Sequence, residues 1–377
     1  MHSESSKYFR FIFENQLFEF IALPFGYNWA PFIFTKVMKV VANHLRSKGL
    51  ISVFYLDDII CFGKNKQDCE FNVNQTLALL KSLRWVINLK KSQLQPSRFC
   101  QYLRFVINSI DMLLELPKEK RLKLKKLIDL FSTKSSCKIR EFAKFIGCLI
   151  AACPALRYSW LYTKNFEKEK FRALIFNDNN YELRTYIPGS LKKDFDWWKT
   201  NIISGVHPIL GSKYSVEIFS DASLSGWGAV CNDVEVSGFC GDSERGLHIN
   251  YLELKAAFLA IKCFLKNISD CQVLLRLDNT TAISYINRMG GIQFPGLNRI
   301  TKEIWQWCES KRLWLFASYV TSKDNIADKP SRIKNIDTEW EIADYAYKKL
   351  QNSWEVLILI YSRLDLTENV RYFVRVI

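Results

Sequence analysis

Residues 51–63 contain two adjacent acids, Asp57 and Asp58, between two runs that are rich in β-branched and aromatic residues. Such runs are typical of strands, so the acids are expected at the tip of a hairpin. Adjacent carboxylates repel each other unless a cation neutralises them, and hard oxygen ligands of this kind suit Mg²⁺. Two such ions can stabilise the attacking and the leaving oxygen of a nucleotidyl transfer. An ordinary acidic turn has the same composition, so the pair alone leaves both interpretations open.

Four further acids lie at positions where side chains can converge: Asp221, Glu253, Asp278 and Asp328. Asp221 and Asp278 end strand-like runs, whereas Glu253 lies inside a helical run. Asp328 lies near the start of a short helical segment. Taken singly, these acids also suit turns, a helix surface and a helix start. Taken in this order, they favour a two-metal site that activates a water and stabilises the leaving oxygen of a phosphodiester.

Small residues and Gly226 follow Asp221 in the chain. Glycine has no Cβ, so this stretch predicts close approach of a partner backbone.

The composition indicates a folded protein with a basic surface. The 377 residues suffice for two or three domains, and 49% of them are hydrophobic. Lys and Arg number 53 against 38 Asp and Glu, a net charge of +15. This surplus favours a polyanionic partner, although a basic surface without such a partner would also account for it.

The cysteines and the apolar runs indicate the compartment. The 11 cysteines form no CxxC pair or Cys/His cluster, which argues for reduced thiols and against a zinc site. The best candidate for a membrane span, residues 145–156, is too short to cross a bilayer. The first residues lack a signal-peptide pattern. We therefore expect an intracellular protein of the cytoplasm or nucleus, neither secreted nor bound to a membrane.

Periodicity places these acids on a series of elements. We predict helices at 30–46 and 72–83, the acidic hairpin at 51–63, and a strand, turn and strand at 98–110. A basic helix opens at Pro117, Ser135 or Ser136 caps the next helix, and residues 156–200 are mostly helical. The last domain is predicted to have strands at 215–220, 226–231, 234–240, 273–278 and 313–320, with helices at 250–266, 280–289, 297–310 and from 325.

The ordered motifs resemble those of a known family over residues 7–332. They are Leu-Pro-Phe-Gly at 23–26, Ala-Pro-Phe-Ile-Phe-Thr-Lys at 30–36, Tyr-Leu-Asp-Asp at 55–58, Ile-Asn-Leu-Lys-Lys-Ser at 87–92, Tyr-Leu-Arg-Phe-Val-Ile at 102–107, Ile-Arg-Glu-Phe-Ala-Lys-Phe-Ile-Gly at 139–147, Ser-Asp-Ala-Ser at 220–223, Leu-Glu-Leu at 252–254, Asp-Asn-Thr-Thr-Ala at 278–282 and Ala-Asp at 327–328. The chain thus resembles the polymerase region of a retroelement, a reverse transcriptase followed by a ribonuclease H domain. The run is most similar to the DIRS-type, tyrosine-recombinase retrotransposons.

The resemblance implies an α/β (α+β) fold in four segments. Residues 1–116 would be a partial palm of a right-hand polymerase without its fingers, and residues 117–212 the thumb and helical connection. Residues 213–332 would form a ribonuclease H-like domain with a mixed sheet. Residues 333–377 would be a tail without an assigned role.

The resemblance also implies roles for individual residues. Asp57 and Asp58 would be metal ligands of the polymerase. Phe25 and Gly26 would lie beside the incoming nucleotide and the template, and Lys91 matches the basic residue of the motif after the hairpin. Residues 102–107 would hold the primer. Asp221, Glu253, Asp278 and Asp328 would be the catalytic metal ligands of the ribonuclease H.

The implied cofactor is Mg²⁺, with Mn²⁺ as the alternative ion. The implied partners are an RNA template, an RNA–DNA hybrid and deoxynucleotides, with an element-encoded recombinase as a further partner. The oligomeric state stays open.

Three departures from the family pattern bear on activity. No Asp precedes Asp57, although the family's polymerase has a further metal-binding Asp upstream, so we expect an N-terminally truncated polymerase half. Arg84 and Arg104 replace glycines of the family, and they would introduce strain if those glycines adopt a positive φ. No His lies in residues 321–328, where some ribonucleases H have one. The alternative function is therefore an inactive retroelement remnant that binds nucleic acid without catalysis.

Overall fold

The computed structural model describes residues 3–332, apart from residues 210, 212, 242, 243 and 245. The predicted tail at 333–377 lies outside the described residues. The described chain has a mixed α/β architecture, as predicted. None of the described helices is long and apolar enough to cross a membrane.

The predicted acidic hairpin is present. Its strands β3 (Ser52–Tyr55) and β4 (Asp58–Cys61) pair antiparallel, with Tyr55 opposite Asp58. The hairpin packs with two helices around a small core of Met38, Val41, Leu45, Leu50 and Leu80. The hairpin is preceded by α1 (Ser3–Ser6), β1 (Arg10–Phe13), β2 (Gln16–Glu19) and α2 (Ala30–Ser47), and it is followed by α3 (Lys66–Ser82). The two helices that pack on it are α2 and α3.

Helix α3 begins six residues before the predicted start at residue 72, because Asn65 caps it by accepting a hydrogen bond from the backbone N–H of Asp68 at 2.8 Å. Asn72 of α3 is buried, and its amide donates to the carbonyl oxygens of Ile51 at 2.8 Å and Phe62 at 2.9 Å. These carbonyls lie just outside the paired residues of β3 and β4. The helix thus fixes the open end of the acidic hairpin.

Both arginines that replace family glycines have a left-handed backbone. The φ angles are 60° for Arg84 and 70° for Arg104. Arg84 follows the end of α3, where its N–H bonds to the carbonyl of Lys81 and the N–H of Trp85 bonds to that of Leu80. This pattern is a Schellman motif, which prefers glycine at the position of Arg84. The strain expected at both positions is therefore built into the backbone.

The strand, turn and strand predicted at 98–110 belong to a four-stranded antiparallel sheet. Its strands are β5 (Phe99–Tyr102), β6 (Phe105–Asn108), β7 (Leu113–Glu115) and β10 (His207–Pro208), in the order β10-β7-β6-β5.

A helical region follows this sheet. It comprises α4 (Lys118–Thr133), α5 (Ile139–Ile150), α6 (Lys164–Phe176) and α7 (Lys192–Asn201), with the short strands β8 (Ser136–Lys138) and β9 (Arg184–Tyr186). Pro117 precedes α4, as the sequence predicts. The predicted cap at Ser135 or Ser136 is wrong, because Ser136 pairs with Tyr186 in β8–β9 and α5 begins at Ile139.

The C-terminal domain is built on a five-stranded sheet in the order β13-β12-β11-β14-β15. The first three strands in sequence pair antiparallel. Strand β14 pairs parallel with β11, and β15 pairs parallel with β14. The sheet is therefore mixed, as the resemblance to ribonuclease H implied for this domain. The elements are β11 (Val216–Ala222), β12 (Gly226–Cys231), β13 (Val234–Phe239), α8 (Ile249–Phe264), β14 (Gln272–Leu277), α9 (Thr280–Asn287), α10 (Pro295–Ser310), β15 (Trp314–Tyr319) and α11 (Asp328–Ser331).

The helical region and the C-terminal domain share one hydrophobic core that extends from Leu116 to Ala317. Buried Asp194 of α7 bonds to Lys302 of α10 at 2.7 Å. The hydroxyl of Tyr158 donates to the carbonyl of Leu313 at 2.7 Å. These polar contacts, added to the shared core, hold the C-terminal sheet against the helical region.

Candidate active site

Three of the predicted acids meet near the C-terminal ends of the neighbouring strands β11 and β14 of the five-stranded sheet. Asp221 lies in β11, Asp278 directly follows β14, and Glu253 lies on α8, which packs on β11 and β12. One carboxylate oxygen from each lies within 4.8 Å of the other two. We call Asp221, Glu253 and Asp278 the carboxylate trio.

Burial and mutual repulsion make the trio costly without a cation. Asp221 is 3% exposed and Glu253 is 4% exposed. Burial raises the pKa of Asp221 to about 6, and the charge of Asp278 adds to the rise. Burial, with Asp221 and Asp278 nearby, raises the pKa of Glu253 to about 9. One oxygen of Glu253, Oε2, is buried without a hydrogen-bond partner among the described residues.

This donor set suits a hard divalent cation. Carboxylate oxygens are the ligands that Mg²⁺ and Mn²⁺ prefer, and an unpaired buried oxygen leaves a coordination position to fill. A cation between the three oxygens would remove the repulsion that raises the pKa of Glu253. The residues present therefore fit the divalent ion that the motif implies, without distinguishing Mg²⁺ from Mn²⁺.

Asp328 does not join the trio. Its Oδ1 accepts two hydrogen bonds from the guanidinium of Arg332, from Nη2 at 2.7 Å and from Nε at 3.1 Å. It lies close enough for its charge to raise the pKa of Asp221, yet outside the group whose oxygens converge. The fourth predicted ligand is thus held at the edge of the site by a partner four residues away on the same turn.

Three polar side chains that the sequence analysis did not single out hold the trio. Ser331 donates from Oγ to Oδ2 of Asp221 at 2.5 Å, and Ser322 donates to Oδ2 of Asp278 at 2.7 Å. Asn325 is buried and lies 3.4 Å from Oδ1 of Asp221. Asn325 and Ser331 lie three residues before and three residues after Asp328, so this proximity in the chain was the available signal.

The acids of the hairpin β3–β4 present a different geometry. Asp57 and Asp58 are exposed, and no third acid joins them in a converging group anywhere in the part of the chain that the structure describes. Leu56, which precedes them, has a φ of 51°. The hydroxyl of Tyr102 reaches the carbonyls of Val53 at 3.5 Å and Asp58 at 3.4 Å. The hairpin β5–β6 therefore lies against the hairpin that carries the acids.

The other predicted contact residues lie on the surface of the N-terminal part. The side chain of Phe25 is fully exposed, and Gly26 has a φ of 93°. Lys91 is exposed, and its backbone N–H bonds to Asn88. The structure leaves these side chains accessible to a ligand.

The basic residues of α4 include exposed lysines and one buried arginine. Its exposed lysines are Lys118, Lys123, Lys125 and Lys126. Arg121 is buried instead, and its guanidinium donates to four carbonyls: those of Leu116, Ile202, Ile203 and Gly205. The lysines supply a cationic face, whereas Arg121 ties α4 to the end of α7.

The family model described as reverse transcriptase (RNA-dependent DNA polymerase) matches residues 1–107. Residues 1–107 are therefore similar to reverse transcriptases, and we call them the reverse transcriptase segment. The matched residues include Asp57, Asp58 and Tyr102.

Curated relatives extend the similarity beyond the reverse transcriptase segment. The enzymatic polyprotein of a cauliflower mosaic virus strain is 24% identical over 311 residues, which cover 77% of this chain and 41% of the polyprotein. That of carnation etched ring virus is 23% identical over 283 residues, or 72% of this chain and 40% of the polyprotein. The Pol polyprotein of the Drosophila melanogaster transposon opus is 29% identical over 96 residues, 25% of this chain and 9% of its own length. The chain spans about two fifths of the viral polyproteins.

Solved structures give similar matches at low identity. A foamy viral protease–reverse transcriptase in complex with double-stranded DNA aligns with a TM-score of 0.47 and 14% identity, over 84% of this chain and 64% of that one. LC11 ribonuclease H1 in complex with an RNA/DNA hybrid aligns with a TM-score of 0.27 and 18% identity, over 31% of this chain and 93% of that one.

Proposed function

We propose that this chain is a reverse transcriptase and ribonuclease H segment of a retroelement polyprotein, and that its C-terminal domain cleaves the RNA strand of an RNA–DNA hybrid. The observation that carries the proposal is the convergence of Asp221, Glu253 and Asp278 within 4.8 Å on a ribonuclease H-like sheet. The match of residues 1–107 to reverse transcriptases supports the retroelement origin.

The chemistry follows from what the trio can do. A divalent cation held by the three carboxylates would supply positive charge for the attacking and the leaving oxygen of a phosphodiester. Asp221 and Asp278 project from the fixed strand end, so they bind with little loss of freedom. Glu253 contributes an oxygen that has no other partner among the described residues. The exposed lysines of α4 offer phosphate contacts that are independent of sequence.

The reverse transcriptase segment extends the proposal to RNA-directed DNA synthesis. Asp57 and Asp58 would bind Mg²⁺, with Phe25, Gly26 and Lys91 near deoxynucleotide and template. The order of motifs supports the DIRS type of retrotransposon, with an element-encoded recombinase as a partner. Free cysteines among the described residues support an intracellular site of action, in the cytoplasm or nucleus.

A second candidate function applies to the N-terminal part. Asp57 and Asp58 have no third carboxylate beside them among the described residues. Two exposed acids alone hold a metal weakly, which favours nucleic-acid binding without synthesis for this part. A primer-extension assay that yields product with this chain would exclude that candidate.

The test of the main proposal is cleavage of a labelled RNA–DNA hybrid by the purified chain in Mg²⁺. Asp278→Asn is expected to abolish cleavage and to leave hybrid binding largely intact, because the change removes one ligand charge without altering shape. Asp233→Asn is the matched control: Asp233 is an exposed acid in the β12–β13 turn of the same domain. Equal cleavage by wild type and Asp278→Asn would overturn the assignment of the site.

A further inference from the structure

Ser331 connects two motifs that lie far apart in the chain. It is 1% exposed, and its hydroxyl donates to Oδ2 of Asp221 at 2.5 Å. The same hydroxyl lies 2.8 Å from the carbonyl oxygen of Asp328. A hydroxyl has one proton to donate, and a charged carboxylate at the shorter distance is the stronger acceptor. An ionised Asp221 therefore accepts the hydrogen bond in preference to the carbonyl of Asp328.

The backbone around Ser331 is fixed from two sides. Ser223, two residues after Asp221, donates from Oγ to the carbonyl of Ser331 at 2.8 Å. Gly228 lies opposite Asp221 in the β11–β12 register, and a Cβ at Gly228 would lie 2.4 Å from the backbone N of Ser331. At Gly228 the segment that approaches the sheet this closely is therefore the chain's own α11 turn. This packing leaves the Ser331 hydroxyl little freedom to move away from Asp221.

We propose that Ser331 is a positioning residue that sets the divalent-cation affinity of the carboxylate trio. Its hydroxyl fixes the rotation of the Asp221 carboxylate. This metal ligand is therefore already ordered before a cation binds. The inference rests on the proposed function, because it requires that the trio binds a cation. Groups that orient a metal ligand typically contribute about 10- to 100-fold to metal affinity.

The experiment is a titration of the whole chain with Mn²⁺, followed by electron paramagnetic resonance of the free ion, without nucleic acid. The variants are Ser331→Ala and the control Ser237→Ala, which removes an exposed hydroxyl from β13 of the same sheet. Ser331→Ala is expected to weaken Mn²⁺ binding about 10- to 100-fold, and Ser237→Ala to leave it unchanged. Hybrid cleavage by Ser331→Ala should recover as the metal concentration rises, which a purely structural defect would not allow.

The outcomes separate the inference from the proposed function. If wild type and Ser331→Ala both bind Mn²⁺ and do so with equal affinity, the inference alone is overturned. Wild type that binds no Mn²⁺ at the trio overturns the proposed function as well. Should Ser331→Ala not fold, Ser331→Cys replaces it, because the thiol has nearly the same shape and is a weaker donor. Unchanged Mn²⁺ affinity in Ser331→Cys would then contradict the inference.

Discussion

Asp221 and Asp278 lie side by side because their strands are parallel and in register. Phe219 of β11 pairs with Arg276 of β14. Asp221 comes two residues after Phe219, and Asp278 comes two residues after Arg276. The two carboxylates therefore leave the sheet at the same level, where Glu253 of α8 faces them.

Replacing the acid of Glu253 by an amide should stabilise the metal-free protein. The side chain is 4% exposed, its Oε2 has no partner among the described residues, and burial beside two other acids raises its pKa to about 9. At neutral pH the folded protein therefore holds this carboxyl protonated while the unfolded chain ionises it, and Glu253→Gln removes the cost of that protonation. We expect a rise in Tm of a few degrees in EDTA, and loss of the Tm increase that Mg²⁺ gives the wild type, both measured by thermal unfolding. Glu235→Gln on exposed β13 is the control. A lower Tm for Glu253→Gln would show that the side chain stabilises the fold by itself.

The stability of metal-free protein should fall as the pH rises. The pKa of Asp221 is raised to about 6 and that of Glu253 to about 9, so the folded state holds both protons more tightly than the unfolded chain. Their contribution to stability is fully present below the ordinary carboxyl pKa of about 4, and it is lost as the pH passes the two raised values. Urea unfolding in EDTA at pH values below, between and above these pKa values measures this loss. Glu253→Gln should flatten the upper part of the profile, and an unchanged profile would contradict the assigned cause.

Arg84→Gly should stabilise the N-terminal part. Arg84 occupies the glycine position of the Schellman motif with a φ of 60°. A left-handed conformation costs an L-residue about 1–2 kcal/mol. Glycine removes this strain, but it also makes the unfolded chain more flexible, which offsets part of the gain in stability. We expect a net gain of about 1 kcal/mol by urea unfolding, with Arg84→Ala as the control that keeps a Cβ. A gain of the same size in Arg84→Ala would assign the effect to the lost charge instead.

Asn72→Ala should loosen the hairpin that carries Asp57 and Asp58. The buried amide donates two hydrogen bonds to carbonyls at the open end of the hairpin. Their loss removes the side-chain donor of the Phe62 carbonyl, whereas the Ile51 carbonyl keeps the backbone N–H of Phe62 at 2.9 Å, and we expect a cost of about 1–3 kcal/mol. Hydrogen exchange of residues 51–63 should become faster, without change in the C-terminal sheet. Asn74→Ala, an exposed asparagine on the same helix, serves as the control. Uniform acceleration across the whole chain would show that Asn72 acts on global stability.

The sequence predicts what depends on local pattern. The acids Asp221 and Asp278 end strand-like runs and Glu253 lies inside a helical run, so their order in the chain favours convergence at one site. The positive φ of Arg84 and of Arg104 meets the condition under which the sequence predicts backbone strain at these two positions. Both expectations depend only on short stretches of chain.

Contacts between distant segments could not be predicted in this way. Ser136 forms a strand because Tyr186 pairs with it fifty residues later, which no local signal shows. The hydroxyl of Ser331 takes part because Gly228 lets α11 pack directly on β12. In each case, the deciding contact is tertiary.

The most direct test of the central claim is the product of hybrid cleavage. Wild type and Asp278→Asn are incubated with an RNA–DNA hybrid and with the same RNA as a single strand, and the new RNA ends are identified. Attack by a water predicts RNA ends with a 5′-phosphate, formed from the hybrid alone, only with Mg²⁺ or Mn²⁺, and only by the wild type. Cleavage of single-stranded RNA to cyclic phosphates, or cleavage that persists in Asp278→Asn, would contradict a nuclease site built on Asp221, Glu253 and Asp278.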